Sequence, residues 1–146
     1  MEWKPNATVA VVVADDDRFL MVEERSNGQV VYNQPAGHIE RNESIFDAAR
    51  RETLEETGYD ITLTSFLGLY TYHSPHNDTI YHRYCFVGET GHKVSDNLDP
   101  DILAAHWFTY EEIAQAQEKH RSPMILECIE DYLSGRRLPL DAVREL

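Results

Sequence analysis
Residues 37–59 read GHIERNESIFDAARRETLEETGY, and the rest of the chain is organised around them. The last third of this stretch carries Glu52, Glu55 and Glu56. Spacings of three and four put side chains on one face of a helix. At about 100° per residue these three positions fall within an arc of roughly 100°. Asn42 or Ser44 can cap the start, and Ser44 with Asp47 resembles a capping box. Ala48, Ala49, Arg50, Arg51 and Leu54 favour helix, and Gly58 is placed to end it in the left-handed conformation.

The carboxylates sit at the unfavourable end of this helix. A helix C-terminus carries about half a negative charge, and an anion there costs about 0.3–1 kcal/mol. Two carboxylates about 5 Å apart repel by roughly 3 kcal/mol at an effective dielectric near 20. Arg51 can offset part of this by pairing with Glu55. A divalent cation would offset more, because hard oxygen ligands suit Mg²⁺ or Mn²⁺. Local rules broken in this way are expected at functional sites.

Working outward, Gly37, Glu43, Arg51, Glu52, Glu55, Glu56 and Gly58 fall in the register G-x5-E-x7-R-E-U-x-E-E-x-G-U. Seven matches in register arise by chance on the order of once in a million such chains. The pattern resembles the signature of the Nudix hydrolases. Thr53 and Tyr59 stand where that signature has aliphatic residues, a departure that bears on packing only. The resemblance implies an α/β/α sandwich with a mixed β-sheet and a loop-helix-loop catalytic motif. It implies that Glu52, Glu55 and Glu56 bind Mg²⁺ (or Mn²⁺) together with the Gly37 carbonyl, and that Glu52 or Glu55 activates water. It implies further that Arg51 orients the glutamates and that Glu43 supports the loop or a second metal.

The whole chain bounds the reading. Its 146 residues are read as one domain, 1–146, with 42% apolar residues and 10% aromatics, which are globular values. No run of 18 apolar residues exists, so no membrane span is expected. Cys85 and Cys128 are far apart and neither lies in a CxxC, as expected of reduced core thiols in a cytoplasmic protein. A net charge of −13 with no basic stripe argues against polymeric nucleic acid as a partner. A small phosphorylated substrate remains compatible if cations bridge the two sets of negative charge. Monomer and homodimer both stay open.

Periodicity places strands over 7–13, 18–24, 30–33, 61–72, 79–87 and 103–108. Asn27-Gly28 is the strongest hairpin signal. Residues 89–100 read as a twelve-residue loop, Thr109 with Glu112 as a capping box, and Ser122 as the cap of a last helix ending at Gly135. In that helix Ile125, Leu126, Ile129, Tyr132 and Leu133 have the spacing of a core face. Asp99 and Asp101 in the long loop are candidate further ligands, and Asp101 is the one chosen. On the 79–87 strand Arg83 shares a face with Tyr81, Cys85 and Val87. An arginine there needs an anionic partner, and a substrate phosphate would serve, with Tyr81 beside it; a structural ion pair is the alternative.

The segments NQPAGHIE, RSP at 121–123 and SGRRLPL at 134–140 resemble a phosphatase branch of the family. That branch implies hydrolysis of nucleoside tri- and diphosphates and of hydroxymethylpyrimidine or thiamine pyrophosphate, releasing orthophosphate. Two other readings remain: a Nudix enzyme for another X-linked diphosphate, such as ADP-ribose or a dinucleoside polyphosphate, and a ligand-sensing domain without catalysis.

Overall fold
The structure, a computed structural model, describes residues 2–146. Ten residues, Asn6–Asp15, form β1, whose valines alternate between two opposed cores. Val9, Val11 and Val13 face one core; Ala10 and Val12 face the other. This is the period-two alternation of a strand covered on both faces.

Around β1 lie β4 (Ala36–His38), antiparallel to it on one side, and β6 (Ile80–Lys93), parallel to it on the other; β5 (Tyr59–His73) is antiparallel to β6. β2 (Arg18–Ser26) touches β1 only at Ala14↔Phe19 and Asp15↔Arg18. It then departs to lie between β3 (Gln29–Asn33) and β7 (Ile102–Thr109). Asn27 (φ 52°) and Gly28 (φ 77°) make the β2–β3 turn with both central residues left-handed, as the Asn-Gly pair predicts.

α1 (Ile45–Thr57) covers one face of the mixed sheet through Ala48 and Ala49, against Val9, Val11 and Phe86. α3 (Met124–Leu133) covers the other through Ile125, Cys128 and Ile129, against Ala10, Val12 and Cys85. The sandwich expected from the sequence is therefore present. A short α2 (Tyr110–Gln115) starts with the expected Thr109–Glu112 capping box.

Three local readings are corrected. β6 runs on to Lys93, so the loop expected from 89 shortens: Thr90 and Lys93 pair with Ile61 and Tyr59 at the start of β5, which gives this polar stretch a partner. Leu133 is 53% exposed, and the core face of α3 is made by Met124, Ile125, Cys128 and Ile129. The box at Ser44 is also only half made: Asp47 N–H donates to Ser44 Oγ, but the Asp47 carboxylate pairs with Arg50. The second acceptor at that helix end is Glu145, which takes bonds from Ser44 Oγ (2.7 Å) and Ile45 N–H (2.9 Å).

Candidate active site
The site begins at the left-handed Gly58 (φ 78°), which ends α1 and lets the chain turn into β5. A Cβ at this glycine would stand 1.9 Å from the Ser95 carbonyl oxygen, so only glycine fits. The loop after β6 is thereby held against the end of α1: Val94 N–H donates to the Gly58 carbonyl, and Asp99 N–H to the Glu55 carbonyl.

This contact decides which loop acid reaches the glutamates. Carboxylate oxygens of Glu52, Glu55 and Asp99 lie within 4.8 Å of one another. Asp101, the sequence choice, is exposed and outside this cluster; its carbonyl accepts Arg25 N–H at the β2 edge. Of the two loop acids it is Asp99 that stands beside the glutamates, because the backbone bond to Glu55 fixes that residue and not its neighbour against the helix end.

Arg51 is the main counter-charge. Its guanidinium forks onto Glu43, with Nε donating to Oε2 at 2.6 Å and Nη2 to Oε1 at 2.9 Å. Nη1 donates to Glu52 (2.8 Å) and Glu55 (3.1 Å), and Nη2 also reaches the His38 carbonyl. One cation thus ties the loop before α1 to two glutamates of the cluster. The Glu43 hydrogen bonds raise the Arg51 pKa further, and Arg51 in turn holds the Glu43 carboxyl below its ordinary value. Burial raises Glu52 in spite of Arg51.

Gly37 is required by close approach. Its φ is not in the left-handed region, but a Cβ would fall 2.1 Å from Glu52 Cδ, so the Glu52 carboxylate occupies the space a side chain would take. Next to it, the Ala36 N–H donates to Glu56 Oε1 at 2.9 Å. Glu56 is 7% exposed, and burial pushes its pKa up to about 9, with Glu24, Glu52 and Asp99 adding to the rise against the Ala36 hydrogen bond.

The donor set fits a hard divalent cation. Glu52, Glu55 and Asp99 converge with one arginine to balance them, and Glu56 is buried behind them without a cationic partner. Oxygen donors of this kind suit Mg²⁺ or Mn²⁺.

Behind β4, on the α3 side, lies a cavity of about 190 Å³ whose lining includes Thr8, Gly37, Tyr81, Arg83, Arg121 and Ser122. Arg83 is 6% exposed and has no carboxylate partner. Its Nη1 donates to Gln34 Oε1 (3.0 Å), Nη2 reaches Asn33 Oδ1 at 3.5 Å, and Nε is unpartnered. The structural ion pair offered as the alternative for Arg83 is therefore not formed. Arg83 and Gly37 share this cavity; Glu52, Glu55 and Glu56 do not line it, but the Glu52 carboxylate packs directly on Gly37. Tyr81 also lines it, its hydroxyl accepting from Asn77.

The supporting polar network leaves no signal in the local sequence. Asn33 Nδ2 and Arg121 Nη1 both donate to the buried Glu24 Oε1. Its members come from β2, β3 and the α3 entry, and only the fold joins them.

A half-buried acid face at the end of a helix, clamped by one arginine and backed by the buried Glu56, has the donor set for a hard divalent cation, and residues 4–128 match the NUDIX domain. The chain belongs to the Nudix family and is a Nudix-type phosphoanhydride hydrolase. It is 39% identical over 142 residues to phosphatase NudJ of Escherichia coli strain K12 and to that of Shigella flexneri, spanning 97% of this chain and 92% of those proteins. A solved NUDIX hydrolase from Nitrosomonas europaea superposes with a TM-score of 0.95 at 43% identity, over 98% of both chains. A UDP-X diphosphatase structure shares the fold alone, at 18% identity and a TM-score of 0.75 over 94% of this chain and 67% of that one. None of the described helices is long and apolar enough to cross a membrane.

Proposed function
We propose that the chain is a Mg²⁺- or Mn²⁺-dependent phosphatase of small diphosphates and triphosphates, acting in the cytoplasm as a single domain spanning 1–146. The observation that carries this is the convergence of Glu52, Glu55 and Asp99, with Glu56 behind them, balanced only by the Arg51 guanidinium on Glu52 and Glu55. The similarity to phosphatase NudJ over 97% of the chain favours orthophosphate as the product. Nucleoside tri- and diphosphates and hydroxymethylpyrimidine or thiamine pyrophosphate are the substrates read from the sequence resemblance. Other X-linked diphosphates, such as ADP-ribose, are the second reading.

In this account Glu52, Glu55, Glu56 and Asp99 would hold the cation with the Gly37 carbonyl, and the cation would neutralise the phosphate oxygens and lower the pKa of water. Glu52 or Glu55 takes the proton of the attacking water; the water oxygen bonds to the terminal phosphorus, and the anhydride P–O bond breaks with its electron pair leaving on the bridging oxygen of the remaining phosphate ester. Arg51 keeps these carboxylates aimed, and Glu43, gripped by the fork, fixes the loop over them. Catalysis of this type is mostly positioning and charge stabilisation.

The test is a product assay on a panel of thiamine pyrophosphate, nucleoside di- and triphosphates, ADP-ribose and a dinucleoside polyphosphate. Orthophosphate from the first group supports the reading. Nucleoside monophosphates from ADP-ribose or the dinucleotide alone would move the assignment to the second. No product from any of them, with Mg²⁺ present, would favour the ligand-sensing reading.

A further inference from the structure
The cavity behind β4 has an electrostatic character that the hydrolytic face does not explain. Of the 146 residues 26 are Asp or Glu, yet none of the residues lining this cavity is acidic. Two arginines line it. Arg121 is balanced by the buried Glu24, but Arg83 meets only the side-chain amides of Gln34 and Asn33. A guanidinium 6% exposed, with Nε unpartnered and one contact stretched to 3.5 Å, carries a desolvation cost that two neutral amides cannot repay.

Helix α3 adds to this. Ser122 and Met124 at its start line the same cavity, and the first N–H groups, of Met124 and Ile125, reach Ser122 only at 3.3 and 3.4 Å. An α-helix N-terminus favours anions. Two elements, β6 through Arg83 and α3 through its N-terminus, therefore bring uncompensated positive charge to one concave site in a chain of net charge −13.

Position and size narrow what it takes. β1 pairs with Gly37 through Val9 and with Arg83 through Thr8. Two strand spacings, about 10 Å, thus separate the Gly37 backbone, on which Glu52 packs, from the backbone at Arg83. At about 190 Å³ the cavity is smaller than the roughly 300–1,000 Å³ of sites for drug-sized ligands. It suits a compact group at the far end of a molecule whose phosphoanhydride lies at the glutamates.

We propose that this cavity is a second anion site, which selects substrates bearing a phosphate or carboxylate at the end remote from the scissile diphosphate. The proposal rests on the hydrolytic reading of the glutamate face and narrows it: among the anhydrides hydrolysed there, those with a remote anion are preferred over thiamine pyrophosphate and simple nucleoside di- and triphosphates, whose far ends carry none. Arg83 is the specificity residue, because a forked donor without an acidic partner is matched by an oxyanion and left unpaired by a neutral group.

The test compares two substrates with the full chain and Mg²⁺: an alkyl diphosphate of four to six carbons, and the same molecule with a terminal phosphate at the other end. The ratio of their kcat/KM values is the readout. The wild type should favour the doubly anionic one by about tenfold or more, and Arg83→Gln should bring the ratio close to one. Asn77→Asp is the second variant. Asn77 lies exposed at the cavity wall, and the new side chain keeps the oxygen that accepts Thr79 N–H while adding a negative charge. It too should lower the ratio, which keeps the test valid if Arg83→Gln fails to fold. A wild-type ratio near one, or a ratio that neither variant changes, overturns the proposal.

Titration of the metal-free protein with inorganic phosphate separates this outcome from failure of the hydrolytic reading. If neither substrate is turned over, phosphate binding that is lost in Arg83→Gln and weakened in Asn77→Asp still supports an anion site, and absent or unaltered binding removes it. Should free phosphate bind at Arg83 while the two substrates are used equally, the site holds released product, and selection of substrate is refuted.

Discussion

Replacing Glu56 by Gln keeps the shape of the side chain and removes its charge. In the metal-free protein Glu56 is 7% exposed, and its pKa is pushed from an ordinary 4.5 up to about 9, first by burial. The sign follows directly. Between pH 4.5 and 9 the unfolded chain gives up this proton and the folded chain keeps it, so the folded state binds more protons and loses stability as pH rises. At pH 7 the penalty has grown over two and a half pH units, at about 1.36 kcal/mol each, to about 3 kcal/mol. Gln pays none of it, and its carbonyl can still accept the Ala36 N–H. Metal-free Glu56→Gln should therefore be more stable than wild type by up to about 3 kcal/mol at pH 7, or roughly 6–12 °C in Tm for a chain of this size. The gap should close below about pH 4.5, where both states of the wild type are protonated, and should narrow or reverse with saturating Mg²⁺, which stabilises the intact ligand set. Thermal unfolding of both proteins in EDTA from pH 4 to 9, repeated with Mg²⁺, measures this. A variant less stable than wild type at pH 7 in EDTA, or a gap independent of pH, would refute the reasoning and make Glu56 a structural carboxylate.

Other outcomes follow from the same geometry. Gly37→Ala drives a methyl into the Glu52 carboxylate, 2.1 Å from its carbon; kcat should fall by about 100-fold or more, while circular dichroism stays native. Arg51→Lys loses the fork on Glu43 and the shared bonds to Glu52 and Glu55, and kcat should fall at least about tenfold, measured at saturating Mg²⁺. Asp99→Asn should weaken Mg²⁺ activation by about tenfold or more in a metal titration, with Asp101→Asn within about threefold of wild type; equal effects would put the loop acid back in question.

The legible parts of the fold were those set by local physics. Ser44 and Gly58 bound α1 because a hydroxyl and a left-handed glycine satisfy helix ends through neighbours in sequence. Asn27-Gly28 dictates its own turn, and the alternation in β1 announces two cores. Clustering of Glu52 and Glu55 also follows from helical spacing, and their meeting with Arg51 needs no tertiary information.

What stayed hidden depends on contacts remote in sequence. Asp99 and Asp101 are alike as residues, and only the Asp99–Glu55 backbone bond separates them. The polar end of β6 resembles a loop until β5 pairs with it. Glu145 closes the start of α1 from a hundred positions away. Arg83 could be placed on a strand face, but its amide partners come from the end of β3 and the residue after it, and the cavity it lines is closed by β1, β4, the β5–β6 loop and the α3 entry.

The central claim is that the acid face at the end of α1 performs hydrolysis and needs a divalent cation to do so. Orthophosphate release from thiamine pyrophosphate and from nucleoside di- and triphosphates tests it most directly, in wild type and Glu52→Gln, with Mg²⁺ and with excess EDTA. The account predicts release only by the wild type with metal, and at least about a 100-fold loss in kcat for the folded variant. Undiminished release in EDTA with metal shown to be absent, or by Glu52→Gln, would contradict it.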